Sequence, residues 1–552
     1  MMKDTRLYLI CSFVSIGGLM YRYDTAVLTA CLALPEYRQV FSLNNDTNGV
    51  AAVVASLSAS FLTSLVSGFA ADGIGRKKFF YVAAIFHIVG SVIQMVDLQL
   101  SALLVGRVIT GSTVGMLSMS VPLYQSEIAS PQNRGRIIAL YQLGVTTGFC
   151  ISSWIAYGTA DLINNLSWRV PVGIQIVPGG ILLLGLSFIP ESPRWLIARD
   201  RYNEALTILA QIRGNKTDDT EVQMEYTSIV QDVTFDRTYT SKTFFALFKK
   251  GIENYRKRTV LGAGIHIFTQ LTGANGLLFY LPRILRSAGL GEIHSVLIGN
   301  GVAGVVNMLG TVPVFFYIDR WPRRRILVTG AALMSACLFT VAGLMGGYST
   351  MVSPTRIHMN PTSSIDGVNI NIHNPAVTYS ILALLCVFIA TFSLSWGPAG
   401  WIYPAEIYPQ LIRANAMGVT TATSYLFNII ITLVTPILFE TIRWGTYLLF
   451  GVFCVIIAFI IHKYFPETRG RSLEEVNLIF SGALVDQQPG AHHPETAAEA
   501  LLKMQQIQVR DRRRRLEQGG QQMVWDDVRI FSSAPSDAAI AMEPAGPDLE
   551  KR

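Results

Sequence analysis

The chain has 552 residues, 51% of them hydrophobic and 15% charged, with a formal net charge of +7, whereas an ordinary soluble chain carries about 25% charged residues. That composition excludes a soluble enzyme and calls for a lipid solvent. The surplus of positive charge collects on one side of the apolar segments, so it speaks for topology and anionic lipid and against nucleic acid as a partner.

Apolar runs of about 20 residues can cross a hydrocarbon layer of roughly 30 Å as helices, because helical backbone satisfies its own polar groups. In chain order the predicted spans are 7–30, 48–71, 79–97, 100–123, 136–157 and 170–189, then 259–281, 293–318, 326–347, 376–403, 412–439 and 444–465. The first holds Arg22 and Asp24 and has no small-residue cleavage site, so it reads as a retained span and not a signal peptide. Residues 1–189 thus form a first set of six helices, 190–258 a cytoplasmic linker, 259–465 a second set of six, and 466–552 a cytoplasmic tail. In the linker Ala205, Leu206, Leu209 and Ile212 share one stripe, which predicts a short helix lying on the membrane face. The connection near 348–375, rich in Ser, Pro and Asn, is expected to be an irregular external loop. After about residue 482 the tail is expected to be disordered around one helical stretch near 495–517, where Arg512 to Arg515 could meet anionic lipid.

Orientation follows from Lys and Arg, which cytoplasmic loops retain. Arg76, Lys77, Lys78, Arg134, Arg136, the stretch from Arg194 to Arg258, Arg320 to Arg325 and Arg413 all fall on one side. Both termini are therefore expected in the cytoplasm, with the plasma membrane as the default location. Asn45 and Asn165 head glycosylation sequons on the external side, whereas the sequon at Asn215 is cytoplasmic. The six cysteines lie in or at the ends of spans, which implies no external disulfide framework. No phosphate-binding Gly-rich loop, His-Glu-x-x-His, Cys-x-x-Cys or Gly-x-Ser-x-Gly elbow occurs, so neither enzyme chemistry, a cofactor nor a metal is expected.

Three charged landmarks recur in order. Asp72-Gly-Ile-Gly-Arg76-Lys77, Glu127 with Arg134 seven residues on, and Pro190-Glu191-Ser192 are echoed by Asp319-Arg320-Trp-Pro-Arg323-Arg324, Glu406 with Arg413 seven on, and Pro466-Glu467-Thr468. Such an echo implies two related halves, the way many carriers build a site that opens alternately to either side. A cytoplasmic carboxylate facing Arg on a neighbouring helix would latch one arrangement of the halves. Inside the spans, amides at Gln142, Gln270, Asn275, Asn307 and Asn428 are costly in hydrocarbon and can donate and accept hydrogen bonds to a polyhydroxylated ligand. Asp24, buried midway through the first span, is a candidate proton carrier.

The strings Arg22-Tyr23-Asp24, Gly-Arg107-Val, Pro190-Glu-Ser-Pro-Arg194, Gln270-Leu-Thr-Gly273-Ala-Asn275, Trp396-Gly-Pro398-Ala-Gly-Trp401, Pro404-Ala-Glu406 and Pro466-Glu-Thr-Arg469-Gly-Arg471 resemble the sugar porter family of the major facilitator superfamily over about residues 15–475. Fungal monosaccharide transporters are the most similar in kind. The resemblance implies an all-α membrane protein, twelve transmembrane helices in two pseudo-symmetric six-helix bundles, moving a sugar or polyol by alternating access as a monomer. It implies substrate contacts at Gln142, Gln270, Asn275 and Asn307, an aromatic platform at Trp401, and gate aromatics at Phe279 and Tyr280. Proton coupling would rest on Asp24 with Arg107. One latch would comprise Asp72, Arg76, Glu127, Arg134 and Glu191, and the other Asp319, Arg320, Arg324, Glu406, Arg413 and Glu467. The chain departs from the family pattern at Arg22, Thr269, Ser393, Ser424 and Pro322. Uniport, carriage of quinate, a polyol or another small metabolite, and a non-transporting sugar sensor stay open as alternatives.

Overall fold

The computed structural model describes residues 5–32, 34–41, 46–96, 99–130, 133–163, 165–239, 244–248, 254–279, 281, 293–351, 370–372, 375–469, 476 and 480. Its helices are α1 (Thr5–Val14), α2 (Ile16–Cys31), α3 (Pro35–Val40), α4 (Asp46–Ile74), α5 (Arg76–Val96), α6 (Leu100–Ile128), α7 (Arg134–Thr159), α8 (Leu166–Ile174) and α9 (Ile176–Gly185), then α10 (Pro193–Ala198), α11 (Tyr202–Arg213) and α12 (Thr220–Tyr239). The second half has α13 (Tyr255–Leu271), α14 (Ala274–Phe279), α15 (Ile293–Thr311), α16 (Val314–Tyr317), α17 (Arg323–Tyr348), α18 (Pro375–Leu394), α19 (Trp396–Ile407), α20 (Gln410–Thr441) and α21 (Gly445–Tyr464).

Ten stretches among the described residues are long and apolar enough to cross a membrane. The first and seventh expected spans are not among the ten; the first carries Arg22 and Asp24, α13 of the seventh carries Arg256, Lys257 and Arg258, and each is broken, at Ser15 between α1 and α2 and at Thr272–Gly273 between α13 and α14. The break at Ser15 is a polar junction: its Oγ donates to the Cys11 carbonyl and receives the Gln125 amide at 2.9 Å. Such breaks are tolerated where neighbouring helices satisfy the freed backbone groups.

Small residues let the helices approach closely, the usual device where lipid removes the hydrophobic drive between them. Ser60 Oγ donates to the Gly111 carbonyl at 2.8 Å, and Ser64 Oγ to that of Gly115, joining α4 to α6. Between the halves, α4 packs on α20 and α7 on α15. Between the two sets of spans α10, α11 and α12 enclose a small core of their own, including Leu196, Leu209, Val222 and Ile229. Leu206 is only partly buried against it. The Arg213 guanidinium grips Glu225 through two hydrogen bonds and ties α11 to α12.

The connection after α17 is not wholly irregular. Strands β1 (Ser349–Met351) and β2 (Ile370–Ile372) pair antiparallel, Thr350 opposite Asn371, and β-branched Thr350, Ile370 and Ile372 suit that ribbon. The tail beyond 482, with Arg512 to Arg515, lies outside the described residues.

Candidate functional site

The amides on either side of the seam between the halves are brought into one chain of contacts. Gln142 on α7 accepts a hydrogen bond from the indole N–H of Trp401 on α19, at 3.2 Å. The Trp401 ring stands edge-on to Tyr141, 5.1 Å between centroids, and to His266, 5.3 Å. One turn beyond His266 on α13, Gln270 donates to Ser424 Oγ at 3.0 Å and accepts from the Asn275 amide at 2.8 Å. These side chains hold one another in place before any ligand arrives, which lowers the ordering cost of binding. The Gln142 amide N–H₂ makes no hydrogen bond among the described residues.

Asn307 stands apart from this group, its Oδ1 taking the Ser393 hydroxyl at 2.5 Å. Asn428, one turn beyond Ser424, accepts from Thr432. Backbone alone is described for Phe279, and Tyr280 and Asn45 lie outside the described residues. Asn165 takes a left-handed conformation, φ 61°, at the start of α8. His266 and Tyr141 escaped the sequence reading, although His266 lies four residues before Gln270 and so shares its helix face.

Asp24 is fully buried, and Arg107 from α6 donates through Nη1 both to its Oδ1 at 3.2 Å and to its carbonyl at 3.0 Å. Oδ2 of Asp24 has no partner. Arg22, two residues before Asp24, is also buried, with its guanidinium 5.4 Å from the centre of the Phe149 ring on α7.

The repeated charged landmarks form two clusters built alike. In the first, Arg76 pairs with Glu127 through two hydrogen bonds, 2.7 and 3.1 Å, and with Asp72 at 2.8 Å. Glu191 accepts the backbone N–H groups of Arg76 and Lys77 at the start of α5 and that of Ser192. A carboxylate there satisfies donors that the first helical turn leaves unpaired and meets the positive end of the helix dipole. Gly75 makes room for it: its φ is +95°, and a Cβ would lie 2.6 Å from Glu191 Oε2.

In the second cluster Arg323, not Arg320 or Arg324, holds the carboxylates, at 3.1 Å from Asp319 and 2.9 Å from Glu406. This corrects the expected assignment, and the reason is spacing: Arg323 follows Asp319 by four residues, as Arg76 follows Asp72, and in both cases the guanidinium is the first residue of the helix that follows the turn. Arg320 is exposed and forms no ion pair among the described residues. Arg324 takes part through its backbone N–H, which with that of Arg323 donates to Glu467 at 3.0 and 2.8 Å. Arg413 is fully buried and donates to the Tyr408 carbonyl; Arg134 is buried at the start of α7.

The second cluster also reaches the first half. Asp319 Oδ2 accepts the backbone N–H of Arg136 at 3.2 Å, with the Arg136 guanidinium at 3.4 Å. Gly135 permits the approach, because a Cβ there would stand 2.2 Å from Asp319 Oδ1. Burial pushes the Asp319 carboxyl up, opposed by Arg323. The Glu191 carboxyl is likewise raised by burial, against the pull of the N–H groups that it accepts.

A family model described as "Sugar (and other) transporter" matches residues 10–480. The MFS glucose transporter mfs1 of Aspergillus flavus is 33% identical, over 88% of this chain and 91% of that one. A high-affinity glucose transporter of Kluyveromyces lactis is 33% identical, over 85% and 84%. Among solved structures, the proton:xylose symporter XylE bound to 6-bromo-6-deoxy-D-glucose aligns with a TM-score of 0.72 at 23% identity, covering 86% of this chain and all of that one. The fold is therefore that of the major facilitator superfamily.

Proposed function

Because this chain belongs to the sugar (and other) transporter family, and is a multi-pass membrane protein rather than an enzyme, we propose that its cargo is a hexose or pentose, carried by alternating access with a proton moving alongside. The observation that carries the reading is the Gln142–Trp401 hydrogen bond, made by one residue from each half. A ligand bound there touches both halves at once, so the free energy of its contacts can shift the balance between their arrangements. Gln270, Asn275 and Ser424 extend the donor and acceptor array, and the Trp401 face suits the C–H surface of a pyranose. Asn307, outside that network, would be reached on closure. Asp24 would carry the proton: protonated it releases Arg107, ionised it holds Arg107, and the exchange follows whichever side the cavity faces. The two charge clusters would serve as the cytoplasmic latch.

Residence of a monomer in the plasma membrane, with both termini cytoplasmic, belongs to the same reading. It is supported by the one-sided distribution of Lys and Arg; glycan on Asn215 in place of Asn45 or Asn165 would overturn it. A second reading, carriage of an acid such as quinate, is favoured by the buried guanidinium of Arg22 beside Phe149. Uptake of labelled D-glucose and D-xylose in a transport-deficient host, competed with hexoses, pentoses, polyols and quinate and repeated with a protonophore, separates the readings. Competition by hexose or pentose that fails on adding protonophore supports the first. Competition by quinate alone supports the second, and glucose uptake indifferent to protonophore removes the proton.

A further inference from the structure

Behind Asp24, away from the seam between the halves, the first bundle holds a run of buried polar side chains that sugar binding does not use. On α5, His87, Ser91 and Gln94 are at most 1% exposed and recur at helical spacing on one face. That face packs on α6, which supplies Arg107 and Thr110, and on α9. Gln94 donates to Thr110 Oγ1 at 3.1 Å, but its Oε1 has no partner. At the junction of α8 and α9, Gln175 is fully buried and neither atom of its amide is hydrogen-bonded. The His87 ring faces the Gln175 backbone and lies against Gly179, where a Cβ would stand 3.3 Å from its Cδ2; neither ring nitrogen has a partner of ordinary geometry. Among the described residues Asp24 Oδ2 and the Nε and Nη2 of Arg107 form no hydrogen bond of ordinary geometry either, and the Tyr37 hydroxyl on α3 faces Arg107.

A cluster of this kind is costly, and in native proteins unpaired buried groups have a reason, commonly ordered water or a functional role. Here the orphaned atoms are of mixed character. Asp24 Oδ2 and Gln94 Oε1 accept, Arg107 donates, and the Gln175 amide and the neutral imidazole do both. Such a set suits bridging water and proton transfer. His87 is also the group in the run whose ordinary pKa lies in the physiological range. The charges that act on it are those of Asp24 on α2 and Arg107 on α6. Of the other titratable groups on helices packed against α5, Asp46 and Asp72 sit at the two ends of α4, Tyr124 and Glu127 at the cytoplasmic end of α6, and Arg169 on α8, whereas α9 carries none. Arg76, Lys77, Lys78 and Tyr81 occupy the cytoplasmic end of α5 itself.

We propose that His87 is the proton acceptor for Asp24, a positioning partner inside the first bundle reached through water held by Gln175. The inference rests on the proton-coupled reading above. In the step, the O–H bond at Asp24 Oδ2 breaks and its proton passes to the bridging water, whose own proton forms an N–H bond on the free ring nitrogen of His87. The products are a carboxylate paired with Arg107 and an imidazolium; reversal restores both neutral groups, and no oxidant or reductant is needed.

The test uses the purified full-length protein in proteoliposomes, with D-glucose or D-xylose, whichever the wild type accumulates. It reads sugar exchange at symmetric pH, sugar-dependent proton influx, and uptake against pH. For His87→Gln we expect exchange retained, proton influx lost and the pH dependence between about 5 and 8 flattened. Gln175→Leu, which removes no titratable group, is expected to weaken proton influx and displace the pH profile in the same sense. Proton influx and a pH profile unchanged in His87→Gln overturn the inference and leave the proton-coupled reading intact. Loss of exchange together with influx, in protein that melts normally, also overturns it. If His87→Gln fails to fold, an unchanged profile in Gln175→Leu overturns it. Wild-type protein that moves sugar without protons overturns the reading and the inference together.

Discussion

The two charge clusters share a plan and differ in what they bind. Each has a guanidinium four residues after an aspartate, a glutamate from a neighbouring helix, and a second glutamate accepting the first backbone N–H groups of a helix. In the first cluster the aspartate stays within its own half: Asp72 is 40% exposed, and its carbonyl takes Trp195 and Arg199 of the linker. In the second, Asp319 is only 13% exposed and reaches across to Gly135 and Arg136. Arg76 spends two bonds on Glu127, whereas Glu406 divides itself between Arg323 and the Thr468 hydroxyl. The repeated motif is therefore a clasp within one half in its first copy and a contact between the halves in its second.

The largest expected effect lies in the clasp. Arg76→Ala strands Glu127 in the protein interior and should cost about 3–5 kcal/mol, read as a lowered melting temperature of the solubilised protein. An equal loss on Arg323→Ala would erase the distinction drawn above. Gly135→Val comes next: the side chain overlaps the Asp319 carboxylate, with an overpacking cost of about 1–3 kcal/mol placed on the arrangement in which Gly135 and Asp319 meet. A cysteine introduced beside this contact should then become more reactive, while the melting temperature changes less than in Arg76→Ala. Asp319→Asn should have the same direction and a smaller size, about 1 kcal/mol, because Arg136 is partly solvated.

The Asp319 carboxyl is raised by burial, so the arrangement described here binds its proton more tightly than one in which the group meets water; this contribution is present at low pH and lost as the pH rises through the raised pKa. Reactivity of the same introduced cysteine titrated against pH, wild type beside Asp319→Asn, tests this, since the variant should show a smaller response. The smallest effect is expected from Asp72→Asn, below about 1 kcal/mol, as its partner Arg76 keeps Glu127 and the site is solvated.

Much of this architecture was legible from the chain. The span limits lie within several residues of the helices, because apolar length in lipid admits few alternatives. The echo of Glu127 and Glu406 likewise marks corresponding helix ends. What misled was similarity of letters: charges on Arg320 and Arg324 drew attention, although the four-residue spacing of Asp72 and Arg76, counted from Asp319, leads to Arg323. Arg136 could not be assigned at all, since an arginine that crosses to the other half looks like one that merely retains topology. The polar junction at Ser15 was equally hidden, because Gln125 meets Cys11 and Ser15 only in space.

The indole of Trp401 has a consequence for observation. Its N–H is bonded to a carbonyl on the opposite half, and whenever the halves part that donor must find water, sugar or nothing. Indole emission responds to such an exchange of partner. The protein thus contains an intrinsic optical probe at its own centre, and replacing the other seven tryptophans by phenylalanine would let one fluorophore report each opening and closing without an added label.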